Sequence, residues 1–336
     1  MSAPLTVPVR EIVTTPRENP PDWRRRLLRL LADKGIFAFT ALVVLAALVL
    51  VSGFASTANI IDVFHRASAI GIVAVGMTFV VISANYIDLS VVAQVAIAGV
   101  ALMAFSSYGL ITAMAIGIGL CLVFGLVNGF AVGVLRANSV VVTLGTTGIG
   151  LGTLALATKG TIYYGEADGV TAAFGAARLG VLPYSALVLV LVAVVAGLLL
   201  SKTIFGFSLR SLGSNREAAR LVGIRSGQVI IGAFLVTSVC AAIAGFVLAS
   251  YSNTAVATMS AGFDFSALAA VIVGGNSLFG GKGSIMRTLV GVIFIAVVSN
   301  VLVLIGLTFE WQQFVTGTII VVAVALDALS RKAGLR

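Results

Sequence analysis

The sequence is poor in charge: only 10% of its 336 residues are Asp, Glu, Lys or Arg, against about 25% in soluble domains. It has one histidine, His65, and two cysteines, Cys121 and Cys240. With no Cys-x-x-Cys pair and no His/Cys cluster, a disulfide framework and a zinc site are both disfavoured. Both cysteines sit inside apolar runs, as small buried apolar residues do. A Ser/His or paired-Asp set for proteolysis within a membrane is missing, and so are acidic clusters for magnesium. These absences speak against an enzyme and against a bound cofactor or metal. The composition also excludes an ordinary soluble domain, a disordered chain and a nucleic-acid reader.

What is abundant is apolar: 60% of the residues are hydrophobic and 37 are glycine. A lipid core about 30 Å thick needs roughly 20 residues of helix. Apolar runs that approach this length fall at 36–54, 67–84, 89–108, 110–135, 140–158, 183–200, 229–251, 264–279, 285–306 and 311–330. The expected fold is therefore an all-α, polytopic membrane bundle of about ten spans over residues 36–330. The run at 264–279 ends in Gly274-Gly275 and reads as a short or re-entrant element. Residues 1–35 form a basic tail with Arg10, Arg17, Arg24, Arg25, Arg26, Arg29 and Lys34, and 331–336 a second short tail.

The basic residues give an orientation. With ten crossings and the first tail in the cytoplasm, 18 of the 21 Lys and Arg fall inside, and only Arg66, Lys159 and Arg178 fall outside. That asymmetry is the positive-inside pattern. It places both termini in the cytoplasm, which requires an even number of crossings.

The spans themselves carry little ionisable chemistry. Asp88 lies at the turn Asn85-Tyr86-Ile87-Asp88-Leu89-Ser90, where it reads equally as a helix cap or as a functional group. The stretch 143–153 lays Thr and Gly along most of one helix, suited to close packing or to a polar route. Asn128 and Asn300 are isolated amides within spans and are expected to bond neighbouring helices.

The inner loop 201–228 is the most charged segment after the tail. Ser214 and Glu217 fit an S-x-x-E capping box, Ala218 and Ala219 favour helix, and Gly223 is placed to end it. The spacing predicts a two-turn helix over about 215–222. So short a helix is unstable alone in water. With Leu221, Val222 and Ile224 as an apolar edge, it either rests on its own membrane domain or docks on a soluble partner.

The loop at 206–224 resembles the coupling loop of bacterial ABC-transporter permeases of the ribose/xylose/galactose importer type. The run from Gly262-Phe263-Asp264 to Gly280-Gly281-Lys282-Gly283-Ser284 resembles that family's glycine-rich signature. Trp311-Gln312-Gln313 and the stretch from Gly71 to Thr78 ahead of Ile87-Asp88-Leu89-Ser90 are similar too. The resemblance runs from about residue 36 to 330. It implies that Ser214, Asn215, Glu217, Ala218, Ala219, Arg220 and Gly223 form the element seated on a separate ABC ATPase subunit. It also implies a second permease subunit, identical or closely related, and a periplasmic sugar-binding protein. The chain has no Walker A sequence of its own, since Gly280-Gly281-Lys282-Gly283 lacks the spacing. The sequence departs from the family pattern at Asn85-Tyr86 and Val92, where glycines are common, at Asn138-Ser139, and at Arg287.

The expected function is thus the permease subunit of an ATP-driven importer of a monosaccharide or related polyol in a bacterial inner membrane. A neutral polar cargo calls for hydroxyl and amide contacts, and the candidate corridor residues are Asn85, Asp88, Ser90, Thr143, Thr146, Thr147, Asn276 and Ser277. The alternative is an ion-coupled carrier or channel that needs no ATPase.

Overall fold

A computed structural model describes residues 37–84 and 86–332. Residues 1–36 (the basic tail among them), Asn85 and residues 333–336 lie outside the described residues. The helices are α1 (Phe37–Leu50), α2 (Thr57–Ala84), α3 (Val91–Ala104), α4 (Leu110–Gly133), α5 (Ser139–Thr158), α6 (Val170–Ala176), α7 (Tyr184–Lys202), α8 (Ile204–Ser214), α9 (Arg216–Leu221), α10 (Ser226–Ser252), α11 (Phe263–Val273), α12 (Ile285–Leu304) and α13 (Phe309–Lys332). Six of them, α2, α4, α5, α7, α10 and α12, are long and apolar enough to cross a membrane. Four more, α1, α3, α11 and the first part of α13, are apolar but shorter. Each sequence-read run coincides with one of these ten helices. The largest difference is in α2, which begins at Thr57 rather than at 67. Asp62, His65 and Arg66 interrupt its hydropathy but not its helix. Asp62 accepts from the Tyr251 hydroxyl at 2.6 Å, and His65 Nδ1 lies 2.9 Å from Ser185 Oγ.

The centre of the bundle is α2, α3 and α10, whose inward residues join one core with α11 and α12. Small residues let the backbones approach, as is usual where lipid supplies no hydrophobic drive between helices. At Gly245 of α10 a Cβ would collide with the carbonyl oxygen of Val95 on α3. Cys121 and Cys240 are buried free thiols packed in the core, as the apolar runs around them led one to expect.

Two buried helices are too short to cross alone. By the rise per residue, α11 is about 16 Å long and α3 about 21 Å, against roughly 30 Å of hydrocarbon. Each is preceded by non-helical backbone. Residues 86–90 lead into α3, and 253–262 lead into α11. The second lead starts as strand β4 (Thr254–Ala255), paired antiparallel with β1 (Tyr163–Tyr164). A second two-residue pair, β2 (Arg178–Leu179) with β3 (Leu182–Pro183), closes the same loop before α7. From β4 the chain runs along α3. A Cβ on Gly99 would touch Met259 Sδ, and Ser260 Oγ donates to Val92 O at 2.7 Å. Ala255 and Ser260 are buried, so this irregular backbone is anchored in the protein at two points, in line with the need of such backbone for protein cover within a bilayer.

The loop 201–228 holds more structure than the sequence reading gave it. Besides α9 it contains α8, an 11-residue amphipathic helix whose Leu209 and Leu212 are buried against α2.

Candidate functional site

The break at 86–90 gathers a cluster of fully buried polar side chains. Ser90 Oγ donates to Asp88 Oδ1 at 2.5 Å and accepts from Gln94 Nε2 and from Asn128 Nδ2, each at 2.8 Å. Thr146 Oγ1 in turn donates to Asn128 Oδ1 at 2.9 Å. Asp88, Ser90, Gln94 and Asn128 are all fully buried. Three helices are thereby tied to one break: α3 through Gln94, α4 through Asn128 and α5 through Thr146. Asp88 also accepts from the Ser90 N–H at 3.0 Å, a local turn ahead of α3, whose N-cap is Ser90. Its second oxygen, Oδ2, and Gln94 Oε1 are buried without a partner. Beside this network, α3, α4 and α5 enclose an apolar groove of about 460 Å³. Thr146 lines that groove together with Phe124, Ile149 and Leu154.

Of the corridor residues read from sequence, Asp88, Ser90 and Thr146 share this network, and Thr147 Oγ1 lies 3.0 Å from Leu89 O. Thr143 is buried but bonds its own helix at Ser139 O, 2.8 Å. Asn276 and Ser277 are elsewhere, in the glycine loop 274–284. Asn276 Nδ2 donates to Val271 O and to Thr288 Oγ1, both at 2.9 Å, and its Oδ1 accepts from Ser284 N–H at 2.8 Å. Thr288 Oγ1 is 2.7 Å from Thr78 Oγ1, so Asn276 pins the loop to α12 and α2. Gln94, Thr78 and Thr288 escaped the sequence reading, because an isolated polar residue in an apolar run does not reveal its partner. Asn300 behaves as expected and exchanges bonds of 2.8 and 3.0 Å with Asn59.

The second site is α9. Its N-cap is Asn215, whose Oδ1 accepts from Ala218 N–H at 3.0 Å. The capping box read at Ser214 is corrected by one position. Ser214 is the last residue of α8, and a one-residue break at Asn215 separates the two helices. The C-terminal end is as the sequence implies. Gly223 has φ +83, its N–H reaches Arg220 O at 3.0 Å, and Ile224 N–H reaches Ala219 O at 3.0 Å. This is a Schellman ending, which requires a residue tolerant of the left-handed region. Ala219 and Ile224 pack inward on the core formed by α8 and the end of α2. Leu221 and Val222 are 84% and 74% exposed. Glu217 and Arg220 form an exposed pair at 3.7 Å.

The glycine loop touches this arm directly. Gly281 N–H donates to Ile82 O at 2.9 Å, and a Cβ on Gly213 would collide with both of those atoms. The ends of α2 and α8 and the loop after α11 therefore meet backbone to backbone.

Among curated proteins, this chain is 31% identical over 297 residues to the ribose import permease protein RbsC of Haemophilus influenzae, covering 86% of this chain and 92% of the relative. It is 33% identical over 301 residues to the L-arabinose transport system permease protein AraH of Escherichia coli, covering 89% and 91%. It is 32% identical over 282 residues to the autoinducer 2 import system permease protein LsrC of Salmonella typhimurium, covering 83% and 81%. No solved structure matches the chain significantly. Residues 59–324 match the family described as branched-chain amino acid transport system / permease component, and this multi-pass membrane protein belongs to that permease family.

Proposed function

We propose that the chain is the membrane-spanning permease subunit of an ATP-driven importer for a monosaccharide or related polyol. Three relatives of nearly full length carry permease names for ribose, L-arabinose and autoinducer 2. The observation that carries the reading is α9, a six-residue helix capped at both ends and anchored by one face. Its free edge exposes two large aliphatic side chains, Leu221 and Val222, to water. A helix this short does not persist without packing, and an aliphatic edge outside the membrane is an unfavourable surface unless a partner covers it. The occupant in this reading is a separate ABC ATPase subunit. Asn215, Glu217, Ala218, Arg220 and Gly223 shape the docking element, and Ser214 joins it to α8. ATP-driven closure of the ATPase pair shifts α9 and tilts the bundle between inward and outward states.

Within the bundle, the cargo passes weak hydroxyl and amide contacts near Asp88, Ser90, Thr146 and Thr147. Asn276 and Ser277 hold the glycine loop near the inner end of the route. Ten crossings, cytoplasmic termini, a second permease subunit and a periplasmic binding protein complete the assembly in a bacterial inner membrane. The test is Leu221→Asp combined with Val222→Asp. The variant chain is expected to keep its size in detergent, to lose the copurifying ATPase, and to import its sugar at least about tenfold more slowly, equivalent to roughly 1.4 kcal/mol of coupling. Undiminished import with the ATPase still bound would remove α9 from the mechanism.

A further inference from the structure

The break at 86–90 and α9 are 130 residues apart in sequence at their point of contact, and the structure joins them. Arg216, the first residue of α9, donates from Nη1 to the Tyr86 hydroxyl at 3.0 Å. The Tyr86 ring packs against the apolar cluster shared by the end of α2, α8 and α9, and its hydroxyl is held by α9 through Arg216. Arg216 Nη2 is buried with no partner. The guanidinium is thus held at this end by its bond to Tyr86, with a buried donor to spare. An under-satisfied buried donor is costly, and an arrangement that repairs it is favoured once the arm moves.

On the other side of Tyr86, Ile87, Leu89 and Ser90 are tied to α5 and α4, while Asp88 bonds only Ser90. Ile87 N–H donates to Ser139 Oγ at 3.3 Å, at the start of α5. Leu89 O faces Thr147 of α5 at 3.0 Å, and Ser90 reaches Asn128 of α4 at 2.8 Å. This five-residue segment, whose one helical backbone bond runs from Gln94 N–H to Ser90 O at its far end, therefore has its first residue fixed to the arm and Ile87, Leu89 and Ser90 fixed to α5 and α4. Such a segment transmits displacement, because its ends are held by side chains while its own backbone offers no ladder to resist.

We infer that the Arg216–Tyr86 hydrogen bond is the strut that carries movement of α9 into the 86–90 break, making both side chains positioning residues for the polar network at Asp88. This rests on the reading of α9 as the ATPase-docking element. The strut is the most direct polar link from α9 into the network, whereas the glycine-loop contact at Gly213 and Ile82 reaches the end of α2 instead.

The test uses the chain copurified with its ATPase from native membranes. Amide hydrogen exchange is followed with and without trapping by MgATP and vanadate. Ile87 and Ser90 N–H are informative reporters, because their acceptors are side chains rather than helix carbonyls. In the unaltered complex, trapping is expected to change exchange over 86–90 by about tenfold, and over 216–222 as well. In Tyr86→Phe and in Arg216→Gln the change over 216–222 should persist, while that over 86–90 falls below about twofold. The double variant should match either single one, since both remove the same bond. An undiminished response at 86–90 in both single variants overturns the strut and leaves the docking of α9 standing. Absence of any response at 216–222 in the unaltered complex removes the docking reading, and the strut with it.

Discussion

Asn59 and Asn300 show what a single buried amide does in this molecule. They exchange two hydrogen bonds, and Asn59 Nδ2 also donates to Phe54 O at 2.9 Å. Replacing Asn300 with Leu leaves the Asn59 carbonyl oxygen buried and unpaired. Leaving such a group unsatisfied costs about 1–3 kcal/mol in water-soluble proteins, while interhelical bonds in bilayers average about 0.6 kcal/mol. Because Asn59 keeps its bond to Phe54, a loss of about 1 kcal/mol is expected. Thermal melting of the detergent-solubilised chain should show it as a downward shift, partly recovered in the Asn59→Leu/Asn300→Leu double variant. A larger shift in the double variant than in the single one would contradict the pairing. At this scale the sequence was informative about type and weak about partner. An amide in an apolar run had to bond a neighbouring helix, and Asn128 and Asn300 do. That Asn128 would meet Ser90 and Thr146, and that Asn215 rather than Ser214 would cap α9, depends on where the backbone turns. Ser214 and Asn215 are both good caps, so the sequence pattern could not separate them.

Among elements, the junction of α8, the end of α2 and the glycine loop is the tightest contact near α9. Gly213 lies in the last turn of α8, where the carbonyl of Ile82 and the amide of Gly281 leave no room for a methyl group. Gly213→Ala must push α8 off that junction, and overpacking of this kind typically costs about 1–3 kcal/mol. Gly197→Ala in α7 is the control, since a Cβ there meets nothing within 4 Å. It should be neutral or stabilising by up to about 1 kcal/mol, the helix preference of Ala over Gly. Melting temperatures should therefore move in opposite directions, or only the Gly213 variant should fall. Equal behaviour would mean that the junction yields freely. The apolar helices were legible because hydropathy over some 20 residues is a strong signal. Helix α8 was not, because its few apolar residues are spaced for one buried face within a charged loop. The start of α2 was obscured by Asp62, His65 and Arg66; the partners of Asp62 and His65 lie on α10 and α7 and cannot be seen along the chain.

For the whole molecule, the open quantity is the number of crossings, and α11 decides it. The helix is short, but its two flanks are anchored to different parts of the fold. Residues 254–255 pair with 163–164, in the loop that holds Lys159 and Arg178. Residues 280–281 lie against Ile82, Gly213 and Ser214, beside α9. The loop at 159–182 and the arm at 201–228 are joined by α7, which is long and apolar enough to span. If α7 crosses, the flanks of α11 are on opposite sides, and the strand and turns of 253–262 together with α11 complete a crossing that the helix alone is too short to make. That gives ten crossings and keeps 18 of the 21 basic residues inside. Single cysteines placed at exposed positions test this with a membrane-impermeant maleimide, since Cys121 and Cys240 are buried. Asp168→Cys and Thr308→Cys are expected to label in intact cells, and Arg225→Cys and Lys282→Cys only after permeabilisation. The informative pair is Lys282 and Thr308. A re-entrant α11 would expose Lys282→Cys outside and hide Thr308→Cys inside, leaving nine crossings and the end of α13 on the outer face, against the charge asymmetry that orients the rest of the chain.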